Sequence, residues 1–382
     1  MLKTIKIENF RSFQSFELQQ LGRVNLLVGK NNIGKTSILE AIQLLCSRNN
    51  LEPLRQTMTN RSEYFFDDER SERRVAQELD IRHLFYGHEI EQGSKFSITG
   101  TNGNIQEELV VSIEVRKISS KEPLLPSDEF LMSSDEFLYD EIPDALRELD
   151  FSVKWSFGRE EEPWRLPLSA NGGLSINYVR QLRKNTKNPA PKIQFVTSSS
   201  LGTEKMIELF DQIVLTPEEK LVEKALHRID SKIERIAPVS SQKLRYSLDS
   251  RGGFFVLLSE NNQRVPIGSM GDGIWRILGL ALATVCAKDG YLFVDEIDTG
   301  LHFTAMSDMW KLIWETAKRL NVQVFATTHN SDCWTSLATI AEQEDAIEDG
   351  IRIHRIEKGK ETSVVFTEPQ IVIAAEREIE VR

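Results

Sequence analysis

The chain has 382 residues, which is long enough to bury a large core and to hold more than one domain or one large insertion. The chain has 58 aspartates and glutamates against 47 lysines and arginines. The resulting net charge of −11 excludes a surface built throughout for nonspecific nucleic-acid binding, but it does not exclude a local basic groove. The longest apolar run, around residues 277–286, is too short and too broken to span a bilayer, so we expect a soluble protein with no membrane role.

The three cysteines lie far apart in the sequence and show no metal-ligand spacing. The first six residues begin a strand pattern rather than a leader peptide. We therefore expect reduced, structural thiols and a cytoplasmic location. The cysteines are Cys46, Cys286 and Cys333.

Two short strands are expected at the start of the chain, because apolar and polar residues alternate over 2–8 and the alternation resumes at Ser15. Arg11 lies at the turn between them, close in sequence to the glycine-rich loop that follows. Two interpretations stay open: Arg11 contacts a bound nucleotide, or it is a solvent-exposed turn residue.

Residues 29–36 fit the phosphate-binding loop pattern, in which two glycines bracket four residues and Lys-Thr follows. Gly29 and Gly34 permit backbone angles that a side chain would forbid, so successive N–H groups can point at phosphate oxygens. Lys35 adds positive charge for the outer phosphates, and the Thr36 hydroxyl can ligate magnesium.

The flanks of this phosphate loop support the match. An apolar strand over Val24–Val28 precedes it, and apolar residues at helical spacing follow from Ser37, so a helix N-terminus would face the anion. The sequence therefore predicts a nucleotide-binding protein. The predicted nucleotide-binding residues of the loop are Gly29, Lys30, Asn31, Asn32, Ile33, Gly34, Lys35, Thr36 and Ser37.

The regular pattern is lost between residues 49 and 191, where runs such as 108–115 and 151–157 predict antiparallel strands. Within this stretch, residues 127–150 form an acidic run with a short repeat, for which a flexible, solvated segment is the simplest interpretation and a docking peptide the alternative. The most basic stretch, 180–192, is interpreted as a solvated loop, with contact to phosphates as the alternative.

A helical arm is predicted near 203–236, with Thr216 as the N-cap and Glu219 completing a capping box for its second helix. No heptad pattern continues from this arm, which excludes a long coiled coil.

Two further strands are predicted to end at the same site. Residues 291–294 are apolar and run into Asp295 and Glu296, and a buried parallel strand presents its last residues to the ligand crevice of an open α/β sheet. Asp295 is then placed to hold magnesium through water, and Glu296 to orient and polarise the attacking water. The strand over 322–328 ends before His329, which is well placed to touch a γ-phosphate.

A serine–glycine pattern precedes the apolar helix over 274–283. Ser269, Gly271 and Gly273 form Ser-x-Gly-x-Gly at the start of this helix, which is again an anion-binding arrangement. We call residues 269–273 the signature turn.

Taken in order, these motifs resemble the head of an ATP-binding-cassette (ABC) ATPase, and the runs at 8–13 and 295–302 resemble its SMC/RecF/OLD-like branch. The implied fold class is α/β, an ABC-type P-loop ATPase head with a mixed sheet and helices, plus an inserted β-rich and helical arm region. The resemblance assigns 1–48 and 192–367 to the head, 49–191 to a β-rich insertion, and 368–382 to a C-terminal tail.

The resemblance also implies roles. Lys35 and Thr36 would bind phosphates and Mg²⁺, Asp295 would support the metal, Glu296 would be the catalytic base, and His329 would be the switch histidine. In a head-to-head homodimer, the signature turn of one copy would contact the γ-phosphate of ATP held by the other.

Some features depart from the family. His302 stands where many relatives have an aspartate, and no Q-loop glutamine can be assigned, with Gln194 and the 197–200 stretch as candidates. We expect no TOPRIM nuclease after residue 354, so a nuclease or other effector would come from another chain. We expect an ATPase that controls a nucleic-acid process, with DNA as a candidate partner, in genome maintenance or phage defence. The alternative is an ATP-dependent scaffold for a protein partner, with little turnover.

Overall fold

The computed structural model describes residues 1–48, 50–65, 78–103, 105–116, 149–158, 160–182, 190–238, 253–259, 263–343 and 349–382. Most of the predicted acidic segment (127–148) and residues 183–189 of the basic stretch lie outside these ranges. The helices are α1 Lys35–Cys46, α2 Glu52–Asn60, α3 Ile176–Leu182, α4 Thr203–Ile213, α5 Glu219–Ile229, α6 Asp272–Cys286, α7 Phe303–Leu320, α8 Ser331–Gln343 and α9 Glu368–Glu376.

The strands of the described residues fall into four sheets. Their bounds are β1 Thr4–Phe10, β2 Phe13–Leu18, β3 Val24–Val28, β4 Glu78–Leu79, β5 Lys95–Asn102, β6 Ile105–Val115, β7 Leu149–Phe157, β8 Glu160–Pro167, β9 Leu174–Ser175, β10 Ile193–Val196, β11 Ile233–Pro238, β12 Phe254–Leu258, β13 Gln263–Pro266, β14 Tyr291–Val294, β15 Gln323–Thr327, β16 Ile351–Arg355 and β17 Val364–Thr367.

A parallel sheet carries the predicted site. Its order is β10-β14-β15-β3-β16-β17, and only the last pair is antiparallel. The β3 and β15 strands are buried along their whole lengths, as expected for strands covered on both faces. Because β3, β14 and β15 run in the same direction, their carboxyl ends meet at one edge of the sheet.

Alternate residues of β3, β14 and β15 enter two different cores. Leu26 packs with helices α4 to α9, whereas Leu27 packs in a second core between the two large sheets. In that second core the rings of Phe293 and Phe325 stack at 5.6 Å, and α1 is buried from Ser37 to Cys46. The helix that follows the phosphate loop is therefore fixed between the parallel sheet and a second, antiparallel sheet.

The antiparallel sheet has the order β2-β1-β5-β6-β7-β8. Its first two strands come from the N-terminus and the other four from the stretch predicted as an insertion. β1 pairs with β2 on one side and with β5 on the other, so it leaves no open edge, and its Ile5 and Ile7 are buried. The boundary predicted at residue 49 is therefore not a structural boundary, since strands from both sides of it form one sheet.

The predicted helical arm packs on the head. Met206 and Leu209 of α4, and Val222 of α5, belong to the core that also holds α6. The capping box predicted at Thr216 is wrong: α5 begins at Glu219, and the Thr216 hydroxyl donates to the carbonyl of Ile213 at 2.6 Å. The side chain thus closes the end of the preceding helix rather than starting the next one.

The stretch predicted as a C-terminal tail also folds onto the head. Thr367 and Gln370 form a capping box at the start of α9, and Ile371 and Ala374 of this helix are buried. Val381, close to the end of the chain, is buried in the same core. Residues 368–382 are therefore part of the packed head.

His354 of β16 provides a test of this packing. It is fully buried, with Nε2 3.3 Å from Oδ1 of Asn25 and Nδ1 3.3 Å from Oγ of Ser363, and burial lowers its pKa to about 3. The unfolded chain binds a proton near pH 6.5, so the stability given by the neutral ring is complete above that pH and is lost as the pH falls toward 3.

We expect the free energy of unfolding attributable to His354 to fall by about 1.4 kcal/mol between pH 7.5 and pH 5.5. Urea unfolding of the wild type and of His354→Gln at the two pH values measures it, with the exposed His302→Gln as the control. The prediction fails if His354→Gln keeps the wild-type dependence on pH.

Candidate nucleotide site

The phosphate loop connects β3 to α1 in a backbone conformation that demands its glycines. Gly29 has φ of 140° and Gly34 of 95°, and Asn32 is also left-handed at 58°. A Cβ atom at Gly29 would lie 2.6 Å from the carbonyl oxygen of Ile356, and one at Gly34 would lie 2.5 Å from the ring of Phe13. Both the angles and the lack of space therefore exclude side chains at the two glycines.

The Lys35 ammonium lies across this loop. Its Nζ donates to the carbonyls of Gly29 and Lys30, both at 2.7 Å. Partial burial lowers the pKa of Lys35, and the nearby carboxylates of Asp295 and Glu296 oppose that shift. The charge is thus held at the loop, where it can meet the outer phosphates of a nucleotide.

Asp295 joins the ends of two strands to the start of α1. Its carboxylate accepts from the Thr36 hydroxyl at 3.0 and 3.1 Å and from the Thr327 hydroxyl at 2.7 Å. Thr327 is the last residue of β15, so three segments that are remote in sequence meet at one carboxylate.

The Thr36 and Asp295 oxygens fit Mg²⁺, which prefers oxygen ligands and keeps several waters. Within the described ranges, no group of three or more His, Cys, Asp and Glu side chains could enclose a metal ion. A magnesium ion here would therefore take its other ligands from the nucleotide and from water.

Glu296 and His329 are brought together at the same edge. Oε1 of Glu296 lies 3.7 Å from Nδ1 of His329, and both side chains are about half exposed. Glu296 has a left-handed φ of 46°, and its N–H donates to the Thr327 hydroxyl at 2.8 Å. The carboxylate predicted to activate water is thus accessible to solvent, on a backbone held in an uncommon conformation.

The signature turn is exposed. Ser269 lies in a short 3₁₀ turn, Ile267–Met270, and Gly271 adopts φ of 90° immediately before α6. Across the described part of the chain, no hydrogen bond joins Ser269 to the phosphate loop. The turn therefore presents a helix N-terminus to solvent.

Arg11 requires a correction. The guanidinium is only 5% exposed and pairs with the carboxylates of Glu40, at 2.8 Å, and Glu63, at 2.7 Å. The interpretation as an exposed turn residue is wrong, and the two carboxylates engage the charge that was expected to reach nucleotide. The neighbouring Phe13, rather than Arg11, contacts the phosphate loop at Gly34.

Two site residues were missed by the sequence patterns. Thr327 contacts Asp295 and Glu296, and Arg276 of α6 donates to the backbone carbonyls of Thr197, Asp295 and Glu296. The feature that could have identified Arg276 is that it is the one charged residue in the apolar helical run over 274–283.

Of the two candidates for the Q-loop, the turn after β10 has the more suitable position. Gln194 lies inside the strand, whereas the turn at 197–200 begins at the carboxyl edge, where Ser200 N–H donates to Thr197 at 2.9 Å.

A phosphate loop between β3 and α1, with Asp-Glu after a parallel strand and a histidine after the next strand, defines a P-loop ATPase of the ABC type, in the SMC/RecF-like class. A family model of the AAA ATPase domain matches residues 1–333. The chain belongs to that family and is an ATPase. Of the helices in the described ranges, none has the length and apolarity that crossing a bilayer requires.

Similarity extends to several known proteins. An ATP/GTP phosphatase of Helicobacter pylori is 23% identical over 364 residues, which is 90% of each chain. The DNA replication and repair protein RecF of Clostridioides difficile is 50% identical over 44 residues, 12% of each chain. Among solved structures, an SMC head bound to the C-terminal winged-helix domain of ScpA shares 13% identity, with a TM-score of 0.46 over 96% of this chain and 98% of that one.

We expect Gly34→Ala to weaken ATP binding by about tenfold or more, because the new methyl group would clash with Phe13 and distort the N–H groups of the loop. Equilibrium binding of a fluorescent ATP analogue measures the loss. Gly359→Ala is the matched control, since Gly359 also has positive φ, at 75°, but has nothing within 4 Å of an added Cβ. Equal binding by the wild type and the Gly34 variant would contradict the assignment of the loop.

Proposed function

We propose that the chain binds ATP with Mg²⁺ and hydrolyses it between two copies, each supplying its signature turn to the nucleotide held by the other. The observation that supports this arrangement is the separation of two parts of the site. The loop, Asp295, Glu296 and His329 lie together in one copy, whereas Ser269 and Gly271 face solvent. Symmetric pairing of two identical faces would complete both sites at once.

Each residue has a defined task in this proposal. The loop N–H groups and Lys35 would bind the phosphates, and the Thr36 hydroxyl and Asp295 carboxylate would hold the magnesium ion. Bound Mg²⁺ would neutralise developing charge on the phosphate oxygens. Glu296 accepts a proton from water as the water oxygen bonds to the γ-phosphorus and the bond to the β-phosphate oxygen breaks. His329 contacts Glu296 through Nδ1, which leaves Nε2 for the γ-phosphate.

We further propose that the ATP cycle controls a nucleic-acid process in an OLD-like defence or maintenance system. Support comes from the motif order and from the similarity of a short segment to a DNA replication and repair protein. Because the net charge is −11, we place the nuclease or other effector on a partner chain rather than on this surface. Three buried free thiols, Cys46, Cys286 and Cys333, support a cytoplasmic setting.

Glu296→Gln tests the enzymatic part. We expect ATP hydrolysis to fall by about 100-fold or more, because the amide cannot accept the proton, while ATP binding persists and the dimer accumulates. Phosphate release and mass in solution with ATP are the measurements, repeated with DNA ends, single-stranded DNA and RNA.

The control for this test is Glu315→Gln, which removes a carboxylate from a surface ion pair with Arg228. Turnover unchanged by Glu296→Gln would refute the role of the glutamate. A wild-type protein that dimerises with ATP but barely hydrolyses it would favour the scaffold alternative, and indifference to every nucleic acid would favour a protein partner.

A mixing experiment tests the shared site. Lys35→Ala should disable the phosphate loop of its own copy, and Ser269→Arg should block the turn that the other copy needs. We expect each variant alone to be inactive and an equal mixture to regain about a quarter of wild-type turnover, since half of the dimers would be mixed and each would hold one intact site. No recovery on mixing, despite dimerisation, would exclude a site shared in this way.

A further inference from the structure

Arg276 occupies an unusual position, because a buried guanidinium faces backbone carbonyls on two strand ends. Its side chain is 3% exposed; one Nη atom donates to Thr197 O at 2.7 Å, and the other to Asp295 O at 3.2 Å and Glu296 O at 3.0 Å. Burial lowers the pKa of Arg276 to about 10, which still leaves it protonated at neutral pH, where nearby carboxylates, including that of Asp298, favour its charge. Arg276 thus connects α6 to the ends of β10 and β14.

These contacts fix the backbone of Glu296 from one side. The Glu296 carbonyl accepts from Arg276 and from Thr299 N–H, while its own N–H donates to the Thr327 hydroxyl. A non-glycine residue is held in the left-handed region only when its surroundings enforce it, since the conformation is costly. Without Arg276, Glu296 would lose one of these constraints, and its carboxylate would be placed less accurately.

The same face of α6 also carries the signature turn. Gly273 lies three residues before Arg276, so the two positions are on the same side of the helix. A Cβ at Gly273 would lie 3.7 Å from the carbonyl oxygen of Gly300 and 3.9 Å from Leu301, in the segment that follows Glu296. The first turns of α6 therefore lie beside this segment at Gly273 and bind it through Arg276.

We propose that Arg276 is a positioning residue for hydrolysis, which holds the backbone of Glu296 in its productive conformation and couples the signature turn on α6 to that glutamate. This inference rests on the proposed function, because it assumes that Glu296 activates water and that the turn meets a second copy. Through α6, docking of the turn on the nucleotide of the partner copy would act directly on the carbonyls of Asp295 and Glu296.

The test uses Arg276→Lys and Arg276→Gln in the full chain. An ammonium group or an amide cannot span three carbonyls as the planar guanidinium does. We expect kcat for ATP to fall by about 10- to 100-fold, the effect of a small misplacement of a catalytic group, with the KM and the affinity for ATP changed by less than about twofold. Arg228→Lys is the matched control, because Arg228 makes a surface ion pair with Glu315.

A double variant separates positioning from a general structural role. In the Glu296→Gln background, we expect Arg276→Lys to change single-turnover hydrolysis by less than about twofold, because both substitutions impair the same step. Full additivity of the two effects would overturn the proposal, as would a wild-type kcat in both single variants. Loss of ATP binding together with kcat in both variants would also overturn it, since Arg276 would then be needed for the fold.

Failure of the proposed function would look different. If Glu296→Gln hydrolyses ATP at the wild-type rate, the water-activating role is lost and the inference about Arg276 falls with it. If Glu296→Gln behaves as expected and the Arg276 variants keep their kcat, the inference alone is overturned.

Discussion

The carboxylate of Asp295 accepts hydrogen bonds from Thr36, at the start of α1, and from Thr327, at the end of β15. More than 250 residues separate Thr36 from the other two, and the parallel register is what brings them together. Val294 pairs with Ala326, and Thr327 pairs with Leu27 of the strand that leads into the phosphate loop. A carboxylate at this point orders the loop helix and two strand ends, and its oxygens stay suited to a magnesium ion.

The local parts of this site follow from the sequence because each is encoded by a few consecutive residues. The spacing of the loop glycines identifies the phosphate loop, and the apolar strand before Asp295 and Glu296 identifies that pair. The lack of room for a side chain at Gly34, beside Phe13, could not be predicted in the same way, because it depends on the β1–β2 turn packing against the loop. The pairing of β1 with β5 is likewise nonlocal, and for this reason the sequence pattern predicted a separate unit after residue 49.

Two arginines show that position in the sequence does not predict which groups a side chain contacts. Arg11 is near the phosphate loop in sequence and was considered for nucleotide contact, yet Glu40 and Glu63 neutralise it in a buried cluster. Arg276 is remote from the loop and lies in an apolar helix, yet it contacts the backbone of Glu296. Burying a charge is costly unless polar groups compensate it, so a lone arginine in an apolar run indicates that polar partners lie nearby in the fold. What compensates it is known only from the fold.

The separation of the signature turn from the rest of the site has a physical consequence. In the proposed function, one copy holds the groups that would bind phosphates and the carboxylate that would activate water, and the second copy would supply the signature turn. Arg276 links the backbone of Glu296 to α6, so the helix that follows the signature turn also constrains the glutamate. A displacement of α6 on pairing would be transmitted over one helical turn, from Gly273 to Arg276, without any change in the loop. In such an arrangement ATP affinity resides within one copy, whereas the rate of hydrolysis depends on the contact between two.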